Sequence, residues 1–193
     1  MKKIAVLLLL VLAVSFQVHT ETTYIDGFRG LPWGTSRADI IEREGPPLLI
    51  DGNDMMYTGL VAKRQARILY ELLNGKLVSG TYSFTNEYIN KNLYIDDFKD
   101  LKIRLIKKYG EPALNNIEWS NNLYKDNPSE WGKAISSGHL AYYDEWSLNE
   151  TRIILSLHGR NDDITLMLIY VAKEQEKALL NNIFGNTDQD EGL

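Results

Sequence analysis

The chain carries the same succession of helix and strand signals twice. Ser36 followed by Asp39 predicts the start of a first helix, because the serine oxygen can accept a free backbone N–H of the first turn. Gly45, directly before two prolines, predicts the end of that helix. A second helix is predicted over 96–109, where apolar residues recur at helical spacing, and it ends in the same manner at Gly110. Strand patterns follow both helices, which predicts an α+β fold with an internal repeat.

The clearest strand signal is a hairpin around Asn74-Gly75. This pair is preferred in two-residue type I′ turns, because both positions need a positive φ. The turn predicts the pairing of the two strands, with Leu72 opposite Leu77 and Tyr70 opposite Ser79. The strands predicted along the chain are 55–62, 66–73, 76–84, 117–120, 139–148, 151–157 and 164–171. The last of them is apolar on both faces, which predicts a central position in the sheet, with both faces of the strand covered.

These elements predict one α+β domain over 24–185. Two helix-plus-β-hairpin repeats, 27–84 and 94–171, are expected to form an antiparallel sheet with the helices packed on one face. A C-terminal helix is predicted over 172–184, with apolar positions at Leu179, Leu180 and Ile183. The acidic segment 186–193 has no core-forming residues and is predicted to be disordered.

The first residues predict export. Lys2-Lys3, the apolar run 4–12 and the small residues after it have the three parts of a secretory signal peptide, so residues 1–20 are expected to be cleaved. The alternative is an uncleaved anchor, but the run is shorter than the roughly 20 apolar residues that span a bilayer. No stable membrane span is therefore expected after cleavage.

The charge and the absence of cysteine narrow the functional classes. The formal net charge is -5, which argues against binding to nucleic acid or to anionic membranes. The chain has no cysteine, which excludes disulfides, thiolate metal sites and a lipid-modified cysteine. Cysteine-free secreted proteins are commoner in bacteria, so the predicted location is a bacterial periplasm or the cell exterior.

Few residues are candidates for catalysis. His158, Asp162 and Asp163 lie close together and could ligate a metal or assist a hydrolysis, but the same segment has the composition of a turn between strands. Acidic pairs such as Asp144-Glu145 would serve a glycosidase only if two carboxylates faced each other. We predict no catalytic residue, no metal site and no cofactor, so the protein is not expected to be an enzyme.

Aromatic residues are better candidates for binding. Trp33, Trp119, Tyr124 and Trp131 lie in or beside predicted loops, and Trp and Tyr are enriched among the residues that dominate interface energies. Tyr124 and Trp131 belong to the polar segment 120–138, and loops of that length are either functional or mobile. Trp33 has a structural alternative, because an aromatic residue just before a helix cap can pack on that helix.

Two resemblances bear on function. The run from Phe28 to Ser36, F-R-G-L-P-W-G-T-S, resembles the opening of a group of uncharacterised secreted bacterial proteins. The helix-plus-hairpin order, given twice, is similar to the layout of the β-lactamase inhibitor proteins. It also resembles the single unit of the small lipoproteins of the outer-membrane β-barrel assembly machine, although this chain lacks the cysteine for lipid attachment. The resemblances imply an envelope protein that acts by contact.

The predicted function is therefore a non-enzymatic, exported bacterial module that binds an unidentified envelope protein. The expected contacts are the face of the sheet and the segment 120–138, with Trp33, Trp119, Tyr124 and Trp131 as candidate binding residues. The alternative is a module that binds cell-wall glycan or another small molecule, and a hydrolase is a weaker alternative still.

Overall fold

The computed structural model describes residues 26–176 of the chain. The predicted signal segment, most of the predicted C-terminal helix and the predicted disordered tail lie outside these residues. The described α-helices are α1 (Arg37–Glu44), α2 (Asn92–Tyr109) and α3 (Trp131–Ser136). The described strands are β1 (Gly27–Phe28), β2 (Leu31–Pro32), β3 (Leu49–Asp51), β4 (Asp54–Val61), β5 (Arg64–Leu73), β6 (Lys76–Phe84), β7 (Leu114–Trp119), β8 (Leu140–Ser147), β9 (Thr151–Arg160) and β10 (Asp163–Ala172). Short 3-10 helices span Pro128–Glu130 and Lys173–Gln175.

Within the described residues, eight strands form one antiparallel sheet in the order β3-β4-β5-β6-β10-β9-β8-β7. The first four and the last four strands each follow one another as a meander, and β6 pairs with β10 at the centre. The predicted α+β fold with an antiparallel sheet is confirmed. The central position predicted for β10 is confirmed as well, whereas cover on both of its faces stays a prediction.

The β5–β6 hairpin departs from its predicted pairing at one place. Leu72 pairs with Leu77 as predicted, but Tyr70 pairs with Gly80 instead of Ser79. The strand β6 has one extra residue between these two pairs, which is a β-bulge. The prediction for Tyr70 is wrong because the Asn-Gly turn determines the pairing only as far as the bulge.

All three helices lie against one face of the sheet. Ile40 of α1 packs in a core with Tyr70 of β5, while Phe98 of α2 and Ile135 of α3 pack in a core with Leu155 of β9. Residues that pair directly across strands share a face, and the pairings from β5 through β6 and β10 to β9 place Tyr70 and Leu155 on the same one. None of the three helices lies on the other face, which we call the open face.

The segment that contains β1 and β2 packs on the helix-covered face. Phe28 is 1% exposed, and its ring centroid lies 5.1, 4.8 and 5.6 Å from those of Tyr70, Tyr82 and Tyr170. A Cβ atom at Gly80 would lie 2.1 Å from the Phe28 ring, so the strand needs a glycine at this position. The F-R-G run thus places one aromatic ring over the centre of the sheet.

The segment 120–138 is less of a loop than predicted. It contains a 3-10 helix and α3, in which Ala134 and Ile135 are 0% exposed. The backbone N–H of Gly132 donates to Oδ1 of Asn92 at 2.6 Å, which ties α3 to the start of α2. The prediction of a loop is corrected for Trp131–Ser136, because a helix of 6 residues is too short to show a helical period in the sequence.

No helix in residues 26–176 has the length and apolar content needed to cross a membrane.

Candidate functional site

Three of the four candidate binding residues come together at one edge of the sheet. Trp119 ends β7 and Trp131 begins α3, and their ring centroids lie 5.8 Å apart in an edge-to-face arrangement. The ring of Tyr124 stacks on that of His139 with the ring centroids 5.7 Å apart. Trp119, Tyr124 and Trp131 all pack against the same core. We call Trp119, Tyr124, Trp131 and His139 the edge cluster.

Polar contacts hold the edge cluster in place. The indole N–H of Trp131 donates to the carbonyl of Lys125 at 3.1 Å, and the ammonium of Lys133 lies 5.3 Å from the ring centroid of Tyr124. The backbone N–H of Ser120 donates to the carbonyl of His139 at 2.9 Å. The rings are half-buried, so each is fixed by packing on one side and reachable from solvent on the other.

The strand next to the edge cluster exposes apolar side chains. β7 is the last strand of the sheet, and within the described residues no strand pairs with its outer side. Leu114 and Ile117 of β7 are 47% and 51% exposed, and Leu123 after the strand is 68% exposed. The strand sequence L-N-N-I-E-W has no lysine or proline, the residues that often protect an edge strand from pairing. We call these three residues together with the edge cluster the edge surface.

Trp33 lies elsewhere. Its indole N–H donates to Oγ1 of Thr151 at 2.9 Å, and that hydroxyl donates in turn to Oδ1 of Asp26 at 2.8 Å. Thr151 begins β9, whereas Leu157 of the same strand pairs with Tyr142 near the edge cluster. Six residues of a strand span roughly 20 Å, so Trp33 does not join the edge cluster.

The open face carries an apolar row that is not among the binding residues predicted from the sequence. Met56 pairs with Leu69, Leu69 with Thr81, Thr81 with Ile169, and Ile169 with Ile154, so the row crosses from β4 to β9. All five side chains are half-buried. The signal in the sequence was that apolar residues occur at successive positions of these strands, so that both faces of each strand carry apolar side chains. We call Met56, Leu69, Ile169 and Ile154 the open-face stripe.

A cleft of about 660 Å³ lies between the connector after β6 and the turn before β10. Its walls include Tyr88 and Tyr94, whose ring centroids are 4.9 Å apart, and the cation of Arg67. Burial and a hydrogen bond to Asp97 raise the pKa of the Tyr88 hydroxyl to about 12. The cleft thus combines aromatic rings with polar groups.

The residues considered for catalysis are dispersed. His158 is exposed on the open face, while Asp162 pairs with the ammonium of Lys91, which lowers the pKa of the Asp162 carboxyl. No group of three or more His, Cys, Asp or Glu residues within 26–176 is arranged to hold a metal ion. The two carboxylates at 144 and 145 lie on opposite faces, because successive strand residues alternate.

Asp144 has a structural partner on the covered face. It is 1% exposed, and its carboxylate lies 3.0 Å from the ammonium of Lys102 of α2. Burial raises the pKa of Asp144, while Lys102 acts in the opposite direction. Glu145, on the open face, pairs with Arg152 at 3.2 Å. Both carboxylates are therefore engaged in ion pairs.

Comparisons of the chain with protein-family models, with curated proteins and with solved structures find no match. The resemblances of the first helix region and of the helix-plus-hairpin order therefore stay predictions. What the fold and the site define is an α+β protein with a large antiparallel sheet, a face on which none of the described α-helices lies, and exposed apolar residues at both edge strands, β3 and β7.

Proposed function

We propose that the protein is an exported bacterial envelope protein that binds another envelope protein and has no catalytic activity. The partner would contact the edge surface and the adjoining part of the open face. The observation that carries this proposal is the exposure of Leu114, Ile117 and Leu123, at 47%, 51% and 68%. The first two lie on β7, whose outer side no described strand pairs with, and Leu123 follows the strand beside large aromatic rings. Exposed apolar side chains beside large aromatic rings are typical of the anchor residues of protein-binding surfaces.

The geometry of β7 supports binding by strand addition. An extended segment of the partner would pair with the free backbone groups of β7, and its alternate side chains would contact the two sides of the edge. Leu114 pairs with Glu145 on the open-face side, and Ile117 pairs with Tyr142 on the covered side. An added strand would therefore find one exposed apolar residue on each side.

The order of elements supports the proposal of an internal repeat. Each of α1 and α2 is followed by a four-strand meander, and the last strands of the two meanders, β6 and β10, pair antiparallel at the centre. A tandem arrangement of this kind produces one wide sheet with two free edges. We propose that the edge at β7 is the binding edge, since the aromatic cluster lies beside it.

The test compares edge variants with a matched control. Ile117→Asp and Leu123→Asp place a charge on the edge surface, whereas Ile103→Asp places one at a 66% exposed isoleucine on α2. The purified chain is used to capture its partner from an envelope extract, and the affinity of each variant for the captured protein is measured by calorimetry. Each edge variant should weaken binding by about 1–2 kcal/mol, and Trp131→Ala by about 2 kcal/mol. Equal affinities for the edge variants and for Ile103→Asp would contradict the proposal.

A glycan or small-molecule ligand is the second candidate, and the cleft near Tyr88 and Tyr94 favours it. Aromatic rings with polar neighbours are suited to stacking on sugar rings. Peptidoglycan fragments titrated into the protein would then bind with an affinity that Tyr94→Ala lowers and Ile117→Asp leaves unchanged. A flat titration would exclude this candidate for the fragments used.

A further inference from the structure

The cleft of about 660 Å³ opens where the two central strands of the sheet separate. β6 pairs with β10 only as far as Phe84, which lies opposite Leu166. The pairing of β10 with β9 continues for three more residues, to Asp163. Beyond Phe84 the chain leaves the sheet as the connector 85–91 and leads into α2. The cleft is thus a notch between this connector and the first residues of β10, and we call it the notch.

The first residues of β10 keep one side free for pairing. Asp163 and Ile164 line the notch, and on their other side they pair with Arg160 and Gly159 of β9. Within the described residues no strand pairs with them on the side of the notch. Successive residues of a strand point their N–H and C=O groups to opposite sides, so one of the two directs both groups into the notch. An extended backbone in the notch would therefore continue the line of β6.

The free charges of the notch lie at different ends. Arg67 shares a row of the sheet with Met167 of β10, because both pair with Ser83 of β6. Asp163 lies four residues from Met167, which is about 13 Å along the strand. The guanidinium of Arg67 has no ion-pair or hydrogen-bond partner within residues 26–176, and the same holds for the carboxylates of Asp163 and Glu87. The notch thus offers a cation at its inner end and a carboxylate at its outer end.

The other walls of the notch supply apolar and aromatic contacts. Phe84, Tyr94 and Ile164 line it. The ammonium of Lys91 pairs with the carboxylate of Asp162, so these two lining groups neutralise each other. The volume falls within the range of about 300–1,000 Å³ that is usual for ligand pockets.

We propose that the notch binds a short peptide in an extended conformation, with its free carboxyl terminus at Arg67 and its amino end toward Asp163. The peptide runs parallel to β10 and exchanges backbone hydrogen bonds with the free side of that strand. About four residues match the distance between the two charged ends. A peptide is favoured over a glycan because a free strand side presents N–H and C=O groups at the spacing of a peptide backbone. The notch is separate from the edge surface, so this inference does not rest on binding at β7.

The test uses the full chain, isotope-labelled for NMR, and a pool of tetrapeptides made of Val, Leu, Phe and Thr with free termini. Binding should shift the backbone amide signals of Asp163 and Ile164. The same pool with amidated carboxyl termini should bind about tenfold more weakly, because it loses the charge-assisted hydrogen bonds to Arg67. A pool with N-methylated peptide bonds should not bind measurably, because it cannot donate backbone hydrogen bonds.

Three variants assign the contacts. Arg67→Gln should weaken binding of the free-acid pool about tenfold and remove the difference between the acid and amidated pools. Lys76→Gln is the matched control, because Lys76 is an exposed cation beside a second cleft, of about 400 Å³, at the opposite end of β6. Ile117→Asp should leave peptide affinity unchanged, so a failure here is distinguishable from a failure of the partner-binding test. If circular dichroism shows that Arg67→Gln disturbs folding, the amidated pool tests the same contact in the original protein.

Absence of shifts at Asp163 and Ile164 with the free-acid pool would overturn the proposal. Equal affinities for the acid and amidated pools would overturn it as well. If an N-acetylglucosamine trimer shifted these amide signals and the peptides did not, the notch would be assigned to a glycan instead.

Discussion

Gly80 of β6 is the position where one added methyl group should cost the most. The Cβ atom of Gly80→Ala would lie 2.1 Å from two ring atoms of Phe28, far inside van der Waals contact. The ring has little room to retreat, because it is 1% exposed and packs against Tyr70, Tyr82 and Tyr170. The substitution therefore either strains the core or displaces Phe28.

Strain in the core and displacement of Phe28 give the lower and upper limits of the expected loss of unfolding free energy. Overpacking of a well-packed core costs about 1–3 kcal/mol, and loss of a buried phenylalanine side chain costs about 3–5 kcal/mol. We expect Gly80→Ala to lower the free energy of unfolding by about 2–4 kcal/mol, between these limits. The measurement is urea unfolding followed by circular dichroism and tryptophan fluorescence.

Gly59 of β4 provides the matched control. A Cβ atom there would meet only Cδ1 of Ile68, at an ordinary contact distance of 3.5 Å. Gly59→Ala should change the free energy of unfolding by about 0.5 kcal/mol or less. In a Phe28→Ala background, Gly80→Ala should become nearly neutral, because the atoms it strikes are gone. Equal costs for the two glycine substitutions, or an unchanged cost of Gly80→Ala in the Phe28→Ala background, would show that the Phe28 ring does not restrict position 80.

Two further substitutions test contacts of the covered face. Lys102→Met should lower the free energy of unfolding by about 3–5 kcal/mol at neutral pH, because it leaves Asp144 buried and charged. Burial already raises the pKa of the Asp144 carboxyl in the folded protein. The loss of unfolding free energy should therefore shrink as the pH falls through that raised pKa, because the protonated carboxyl no longer needs a cation. A loss that is independent of pH would contradict the role of a charged Asp144. Trp33→Phe removes the hydrogen bond to Thr151 and should cost about 1 kcal/mol in urea unfolding while leaving partner affinity unchanged, whereas weakened partner binding would place Trp33 in the interface.

Local features of the fold could be predicted from the sequence. Ser36 Oγ accepts the backbone N–H of Asp39 at 3.3 Å, and Gly45 has a φ of 86°, as expected for the start and end of α1. Asn74 and Gly75 both have positive φ, at 53° and 74°, as the type I′ turn requires. These predictions succeeded because each depends on contacts within a few residues of chain.

Features that depend on distant parts of the chain could not be predicted. Trp33 bonds to Thr151, 118 positions away, and no local pattern identifies that partner. The ring contact between Trp119 and Trp131 forms only because α3 folds back onto the end of β7. The open-face stripe required the pairing of β6 with β10, which decides which side chains of the two meanders share a row. The sequence alone identified the aromatic residues as candidates, but which of them contact each other depends on the topology of the sheet.

The proposed function requires the edge at β7 to contact a partner protein. The most direct measurement places the photoreactive residue p-benzoylphenylalanine at position 117 or at position 103 and irradiates the protein in the envelope. Both isoleucines are exposed, at 51% and 66%, but only Ile117 belongs to the edge surface. We expect one discrete cross-linked protein from position 117 and none from position 103. No cross-link from position 117, or the same products from both positions, would contradict it.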